Sequence, residues 1–267
     1  MPWIPVDPKI APALSDARRQ LHHAAQLATA FGISYIEPRP DDSHTNLEWR
    51  PQLGALASNE VNGVRVAVRI STLTLQVGDN LMALRGATMN NVAPWLVTRL
   101  VELGFDGARF TLARHYEIPP HAVANGQPFD ARAKHLEQLA AWFGNAAALF
   151  EALRASKARA SVVRCWPHHF DLATLITVGE GSTVGVGMEP GDLYYDEPYY
   201  YVNMHPSPPA EALGDSLKGN GWWHTHEWIG AVLPASRVPS DPDAQQEAVG
   251  AFLRSAVATA TQLVSRC

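Results

Sequence analysis

The sequence predicts an α+β fold, antiparallel sheets flanked by helices, in a chain of 267 residues. Three patterns predict it. Apolar residues recur at helical spacing in several separate stretches. Two strand-rich regions lie between those stretches. The order is helix, strands, helices, strands, helix, in blocks and not as alternating βαβ units.

The first dozen residues hold four prolines and read as an extended arm. Ser15 is placed to cap a helix to about Phe31, with Leu21, Ala24, Ala25 and Ala28 at helical spacing and Gly32 as its stop. Residues 37–46 are polar and proline-containing, hence a loop. From Leu47 the period changes to two. Leu47-Glu48-Trp49 and Leu53-Gly54-Ala55-Leu56 suggest strand, and Val64 to Ile70 alternates and continues through Leu73 and Leu75. Gly78-Asp79-Asn80 signals a turn before Leu81 to Leu84. These segments form a meander with one wet face.

A helix is expected from Val92 to Leu103, capped by Asn90 or Asn91, with Pro94 in its first turn. Phe105 to Leu112 is a short strand candidate, and 117–128 a proline-rich connection. A long helix follows from Asp130 to about Leu153, with Leu136, Leu139, Phe143, Ala147 and Phe150 on one stripe. Strand candidates in the second half are 161–166, 170–178, 183–188, 199–204 and 222–233, with Gly179-Glu180-Gly181-Ser182 as a hairpin turn. The last helix starts near Asp241 and carries Val249, Phe252, Leu253, Ala256, Val257, Ala260 and Leu263 on one face.

The whole reads as a single α+β unit over 1–267. Two halves, 15–115 and 160–267, joined by a helix over 130–154, are a further expectation. A faint echo supports it: Trp49 precedes Leu53 to Ser58 much as Trp228 precedes Ile229 to Ser236.

Net charge is −5 and the basic residues are scattered, so no basic face for nucleic acid is expected. No window reaches the roughly twenty apolar residues of a membrane helix. The opening residues lack the pattern of a signal peptide. Two cysteines, Cys165 and Cys267, do not make a disulfide scaffold, although their pairing stays open. A reduced, cytoplasmic, soluble protein is the expectation.

Chemistry-bearing residues concentrate in the second half. His224-Thr225-His226 on a strand would put both imidazoles on one side, with Trp222 and Trp228. In Trp166-Pro167-His168-His169-Phe170-Asp171, alternation pairs His169 with Asp171. His169, Asp171, His224 and His226 could then hold a divalent metal, zinc or iron. Glu227 is the candidate general base, reached through a bulge. Tyr194, Tyr199, Tyr201, His168, His205 and Trp222 would wall a ligand site.

Other readings of the same residues stand beside this one. H-x-H is a weak motif, and histidines beside tryptophans often only bond a carbonyl or carboxylate. A small-molecule binder without metal would use the same rings as hydrogen-bonding and stacking groups. A homodimer would bury the aromatic surface instead. Elsewhere, one ring of His22-His23 should face solvent, and His115, His121 and His135 look isolated. Glu48, Arg50, Arg65, Arg69 and Arg85 lie on strand candidates, where a solvated face is the simpler reason for them.

The string Trp166-Pro167-His168-His169-Phe170-Asp171-Leu172-Ala173 resembles that of an uncharacterised bacterial family, catalogued as a domain of unknown function. Pro190-Gly191-Asp192, Glu197-Pro198-Tyr199-Tyr200-Tyr201, the segment 228–234 and the terminal helix also fit. The first half is similar in layout. The resemblance implies a soluble bacterial protein folded as one unit, and carries over no reaction and no catalytic residue.

Overall fold

The computed structural model describes residues 2–214 and 216–265. The fold is α+β, with antiparallel sheet flanked by helices. It divides into two compact units. The first comprises Leu14–Ala140 and Arg164–Phe170, the second 2–13, 141–163 and 171–265. The division differs from the expected halves. The long helix is no linker: α3 (Ala133–Ser156) gives its start to the first unit and the rest to the second.

In the first unit the strands are β1 (Leu47–Arg50), β2 (Ala55–Ser58), β3 (Val66–Arg69), β4 (Thr74–Val77), β5 (Asn80–Ala83) and β6 (Arg164–Trp166). They lie in the order β6-β1-β2-β3-β4-β5. The single strand expected from Val64 to Leu75 is broken at Ile70–Leu73, where Leu73 has φ 48° and reverses the chain into β4. Register sends Leu56, Val68 and Leu75 to one side, fully buried. The opposite side carries Ala55, Ala57 and Ala67 beneath charged side chains. There Glu48 meets Arg50 at 3.4 Å and Arg65 at 3.2 Å, and Arg65 also meets Glu60. The wet face of the meander is thus a ladder of surface ion pairs whose stems cover alanines.

Helix α1 (Ser15–Tyr35) packs on β2 and β3. Ser15 is its first residue and caps nothing: the chain enters it from a 3-10 helix, Pro8–Leu14, where an extended arm was expected. Gly32 does not stop it either. A Cβ at Gly32 would lie 2.2 Å from the His44 carbonyl oxygen, so this glycine serves a close approach inside the helix. Helix α2 (Met89–Glu102) starts three residues earlier than expected, which puts Pro94 beyond the first turn. Phe105 to Leu112 is not a strand. Asp106 accepts from the Ala108 amide at 2.9 Å and turns the chain into a short 3-10 helix, Gly107–Arg109.

The second unit orders its strands β10-β11-β9-β8-β7, with β7 (Asp171–Gly179), β8 (Ser182–Glu189), β9 (Tyr199–His205), β10 (Trp222–His224) and β11 (Gly230–Pro234). The hairpin turn at Gly179–Ser182 is present. The strand expected over 222–233 is two strands paired antiparallel, split where Glu227 takes φ 66°. Helix α4 (Pro242–Val264) begins as expected: Asp241 accepts from the Asp243 amide, and Pro242 takes the first turn. Helices α3 and α4 cover the sheet face that holds Tyr200. Tyr200 contacts Trp142 and Phe150 of α3 with ring centroids 5.7 and 6.3 Å away.

Two amide side chains tether the N-terminal arm within this unit. Asn145 accepts from the Ile4 amide at 2.9 Å and donates to the Ile4 carbonyl at 2.7 Å. Buried Gln245 accepts from the Val6 amide and the Trp3 indole, both at 3.0 Å, and donates to the Val6 and Pro239 carbonyls. Gln245→Ala leaves backbone groups of Val6 buried without partners, and should cost about 2–4 kcal/mol in urea unfolding; a loss near zero would show the arm is not held this way. Conversely, the Tyr200 hydroxyl and the Trp142 indole are buried without hydrogen-bond partners. Tyr200→Phe should therefore leave the melting temperature unchanged or raise it, by up to about 1 kcal/mol in stability; a clear drop refutes this.

Candidate functional site

Register in the second unit collects the polar and aromatic residues on the sheet face opposite Tyr200. Glu189 pairs with Tyr199, and Gly187 with both Ala173 and Tyr201. Tyr201 pairs with Val232, and Val232 with Trp222. The next row runs Leu175, Gly185, Asn203, Gly230, His224. Asp171 precedes Ala173 by the strand period of two and takes the same face.

Glycines form the floor. A Cβ at Gly187 would sit 2.3 Å from the Tyr201 ring, and one at Gly185 would sit 2.2 Å from the Asn203 side chain. Tyr201 and Asn203 therefore lie flat over their neighbours, which any larger residue would prevent. One end of the face is buried at Asp171, Glu189 and Tyr199; the other is open at Leu175, Asn203 and His205.

Hydrogen bonds fix the rings. The Tyr201 hydroxyl donates to Asp171 Oδ2. The Tyr199 hydroxyl donates to Asp192 Oδ2 at 2.8 Å, while Asp192 Oδ1 accepts from the Tyr194 and Tyr195 amides. Burial pushes both phenols well up from the usual tyrosine value. Nearby carboxylates add to it: Asp171 first for Tyr201, Glu189 and Asp192 first for Tyr199. Both stay protonated donors at any physiological pH. Tyr195 bridges the rings of Tyr199, 4.9 Å away, and Trp222, 6.3 Å away. Arg237 lies 5.4 Å over the Trp222 ring.

His224 has both ring nitrogens engaged. Nε2 lies 2.6 Å from the His226 carbonyl oxygen, which can only accept, so Nε2 carries the proton. Nδ1 of the uncharged ring then accepts from the Tyr195 hydroxyl at 2.8 Å. The ring also stacks on Trp228 at 4.5 Å.

The expected metal set does not come together as strand alternation implied. Strand β10 ends at His224, so His226 leaves the sheet and is exposed in the turn. Strand β6 ends at Trp166 and β7 starts at Asp171. Phe170, with φ 76°, sits in a turn between them, which ends the alternation that paired His169 with Asp171. His169 and His168 belong to the first unit, Asp171, His224 and His226 to the second. Among the described residues no group of three or more histidine, cysteine or acidic side chains could hold a metal ion. Glu227 is exposed, and its carboxylate acts on Tyr194, whose phenol its hydrogen bond pushes up. His205 is exposed at the end of β9. Of the expected ligand wall, Tyr199, Tyr201 and Trp222 share the face, and Tyr194 packs by His224 and Trp228.

The first unit holds a second constellation that the sequence pattern missed. Both His22 and His23 are buried, correcting the expectation that one ring meets solvent. His22 lies parallel to Phe170 at 4.6 Å and bonds the Pro167 carbonyl through Nε2 at 2.7 Å. His23 bonds the Pro119 carbonyl through Nε2 at 3.0 Å. His121 and His115 are not isolated: each meets a carboxylate at 3.1 Å, Asp16 and Asp42 respectively. His168 is half-buried against His169 and Tyr116. Between α1 and the start of α2 lies a cavity of about 490 Å³, which His23, Gln26, Asn90 and Arg114 help to line. Contact across 90 residues made it, and no local spacing announces that. Cys165 is buried in β6, and Cys267 lies outside the described residues.

No helix among the described residues is long and apolar enough to cross a membrane. No family model, no curated protein and no solved structure matches the chain.

Burial holds the pKa of His22 down to about 3 from 6.5, against the opposing bond to Pro167. Desolvation lowers His23 as well. A lowered histidine pKa means that the unfolded chain binds the proton first as pH falls. The contribution to stability is complete above pH 6.5 and is lost progressively from there towards pH 3. Unfolding free energy should fall between pH 7 and 4, with His22 contributing up to about 1.4 kcal/mol per pH unit. His22→Gln, which keeps a donor for Pro167, should flatten that slope in urea titrations at several pH values. An unchanged slope would remove His22 from the account.

Proposed function

We propose that the protein binds a small organic cation, an amine or quaternary ammonium compound, on the aromatic face of the second unit. The histidines there serve as hydrogen-bonding and stacking groups. One observation carries the reading: Tyr195, Tyr199, Tyr201 and Trp222 stand together, with Tyr201 flat over Gly187, bordered by the carboxylates of Asp171, Glu189 and Asp192. Aromatic faces attract a cation through the ring quadrupole, and neighbouring carboxylates add long-range attraction. Tyrosines held protonated offer oxygen lone pairs without competing for charge. A scarcity of cysteine, two in 267 residues, suits the reducing cytoplasm of a bacterial cell.

Choline is the probe, with 3,3-dimethylbutanol as its neutral isostere. Calorimetry and tryptophan fluorescence should detect choline and not the alcohol. Trp222→Ala should weaken binding by about five- to thirtyfold, the worth of one partly desolvated cation–π contact. No response to choline up to about 10 mM, or equal binding of the alcohol, overturns the proposal. So does near-stoichiometric zinc or iron in untagged protein that disappears from a folded His224→Ala/His226→Ala variant; that result restores a metal-assisted enzyme with Glu227 as its base. A second reading has its own observation. Leu193 is 99% exposed and Tyr194 is 45% exposed, side by side. Such a pair suits burial against a second copy of the chain. Mass measurement that finds a dimer, converted to monomer by Leu193→Ser, would favour it.

A further inference from the structure

The cavity of the first unit, about 490 Å³, is of a size that takes a small metabolite. Its walls are of two kinds. Met89, Pro94 and Leu112 supply an apolar side. Polar groups converge on the rest, and their existing bonds decide what they still offer.

Gln26 has both amide hydrogens committed. Its amide donates to the Pro167 carbonyl at 3.0 Å, and its oxygen accepts from the Tyr116 hydroxyl at 2.9 Å. It is a fixed wall. His23 is different. Its Nε2 faces a carbonyl oxygen and so carries the proton, which leaves Nδ1 of the uncharged ring as an acceptor. No hydrogen bond within the chain uses Nδ1, and His23 lines the cavity. An acceptor at the cavity wall with no partner in the chain can take a hydrogen bond from a ligand donor.

Arg114 supplies the charge. Among the described residues it has no ion-pair partner, while its guanidinium acts on His22 and His23. The N-terminus of α2 opens on the same cavity through Met89, Asn90 and Ala93. Its first turn holds no acidic residue and Thr88 makes no side-chain cap, since the Thr88 hydroxyl goes to Asn91. The positive end of the helix dipole is therefore unopposed. A free guanidinium, a bare helix start, a lone imidazole acceptor and an apolar wall describe one kind of ligand.

We infer that this cavity binds a small hydroxy-carboxylate with an apolar body. Its carboxylate meets Arg114 and the start of α2, its hydroxyl donates to His23 Nδ1, and its apolar part lies on Met89, Pro94 and Leu112. The site is distinct in residues and in ligand charge from the aromatic face of the second unit, and stands whether or not that face binds a cation.

The probe is 3-phenyllactate, and its control is 3-phenylpropane-1,2-diol, which keeps body and hydroxyl but lacks the charge. Calorimetry on the full chain should detect the acid and find the diol at least about tenfold weaker, the usual worth of a charged hydrogen bond. Arg114→Gln, at an exposed position, should weaken the acid by about tenfold or more and bring it level with the diol. Leu112→Trp, which fills the cavity, should abolish binding with an unchanged circular dichroism spectrum. No binding of 3-phenyllactate up to about 10 mM overturns the proposal. Binding that survives both substitutions, or that Arg237→Gln abolishes instead, overturns it too.

Discussion

The first unit depends on one helix that satisfies the backbone of a long irregular connection. Between α2 and α3 the chain runs about thirty residues with only short 3-10 turns, and its buried peptide groups need partners. Polar side chains of α1 supply them. Gln20 accepts from the amides of Asp130 and Ala131, and Ser34 from the amide of Thr111. His23 bonds the Pro119 carbonyl, and His22 does the same for Pro167 in the turn after β6. Helix α1 therefore looks amphipathic in the wrong places: Gln20, His22, His23 and Ser34 are polar by type and lie inside because each completes a loop.

That arrangement also explains the cavity. Side chains committed to loops hold Gln26 and His23 in place before any ligand arrives, and the connection brings Arg114 and Leu112 opposite the start of α2. The site is preorganised by bonds that serve folding. Its charge and its unused acceptors are what remain after the backbone has been satisfied.

The second unit rests on the alternation of three consecutive tyrosines. Tyr200 faces α3 and α4 and is core, with a hydroxyl that earns no bond. Tyr199 and Tyr201 take the other face and have carboxylate partners. The sequence shows this split, because strand period assigns faces without knowing the fold. It also shows that Tyr199, Tyr201 and Trp222 could line one wall. It does not show the glycines beneath them as a floor, since Gly185 and Gly187 acquire that role only when β9 pairs with β8.

Fold class, the meander with a wet face, the hairpin at Gly179–Ser182 and the start of the last helix near Asp241 follow from the sequence alone. Each depends on residues close together along the chain. What depended on long-range contact did not. Strand alternation ends at the left-handed turn of Phe170 and at His224, the last residue of β10, so it pairs neither His169 with Asp171 nor His224 with His226. His22, His23, His115 and His121 gained their partners from segments roughly seventy to 145 residues away. A sequence fixes which groups are available and which side of a strand they take; which of them meet is settled by packing, where buried polar groups must find partners wherever the chain returns.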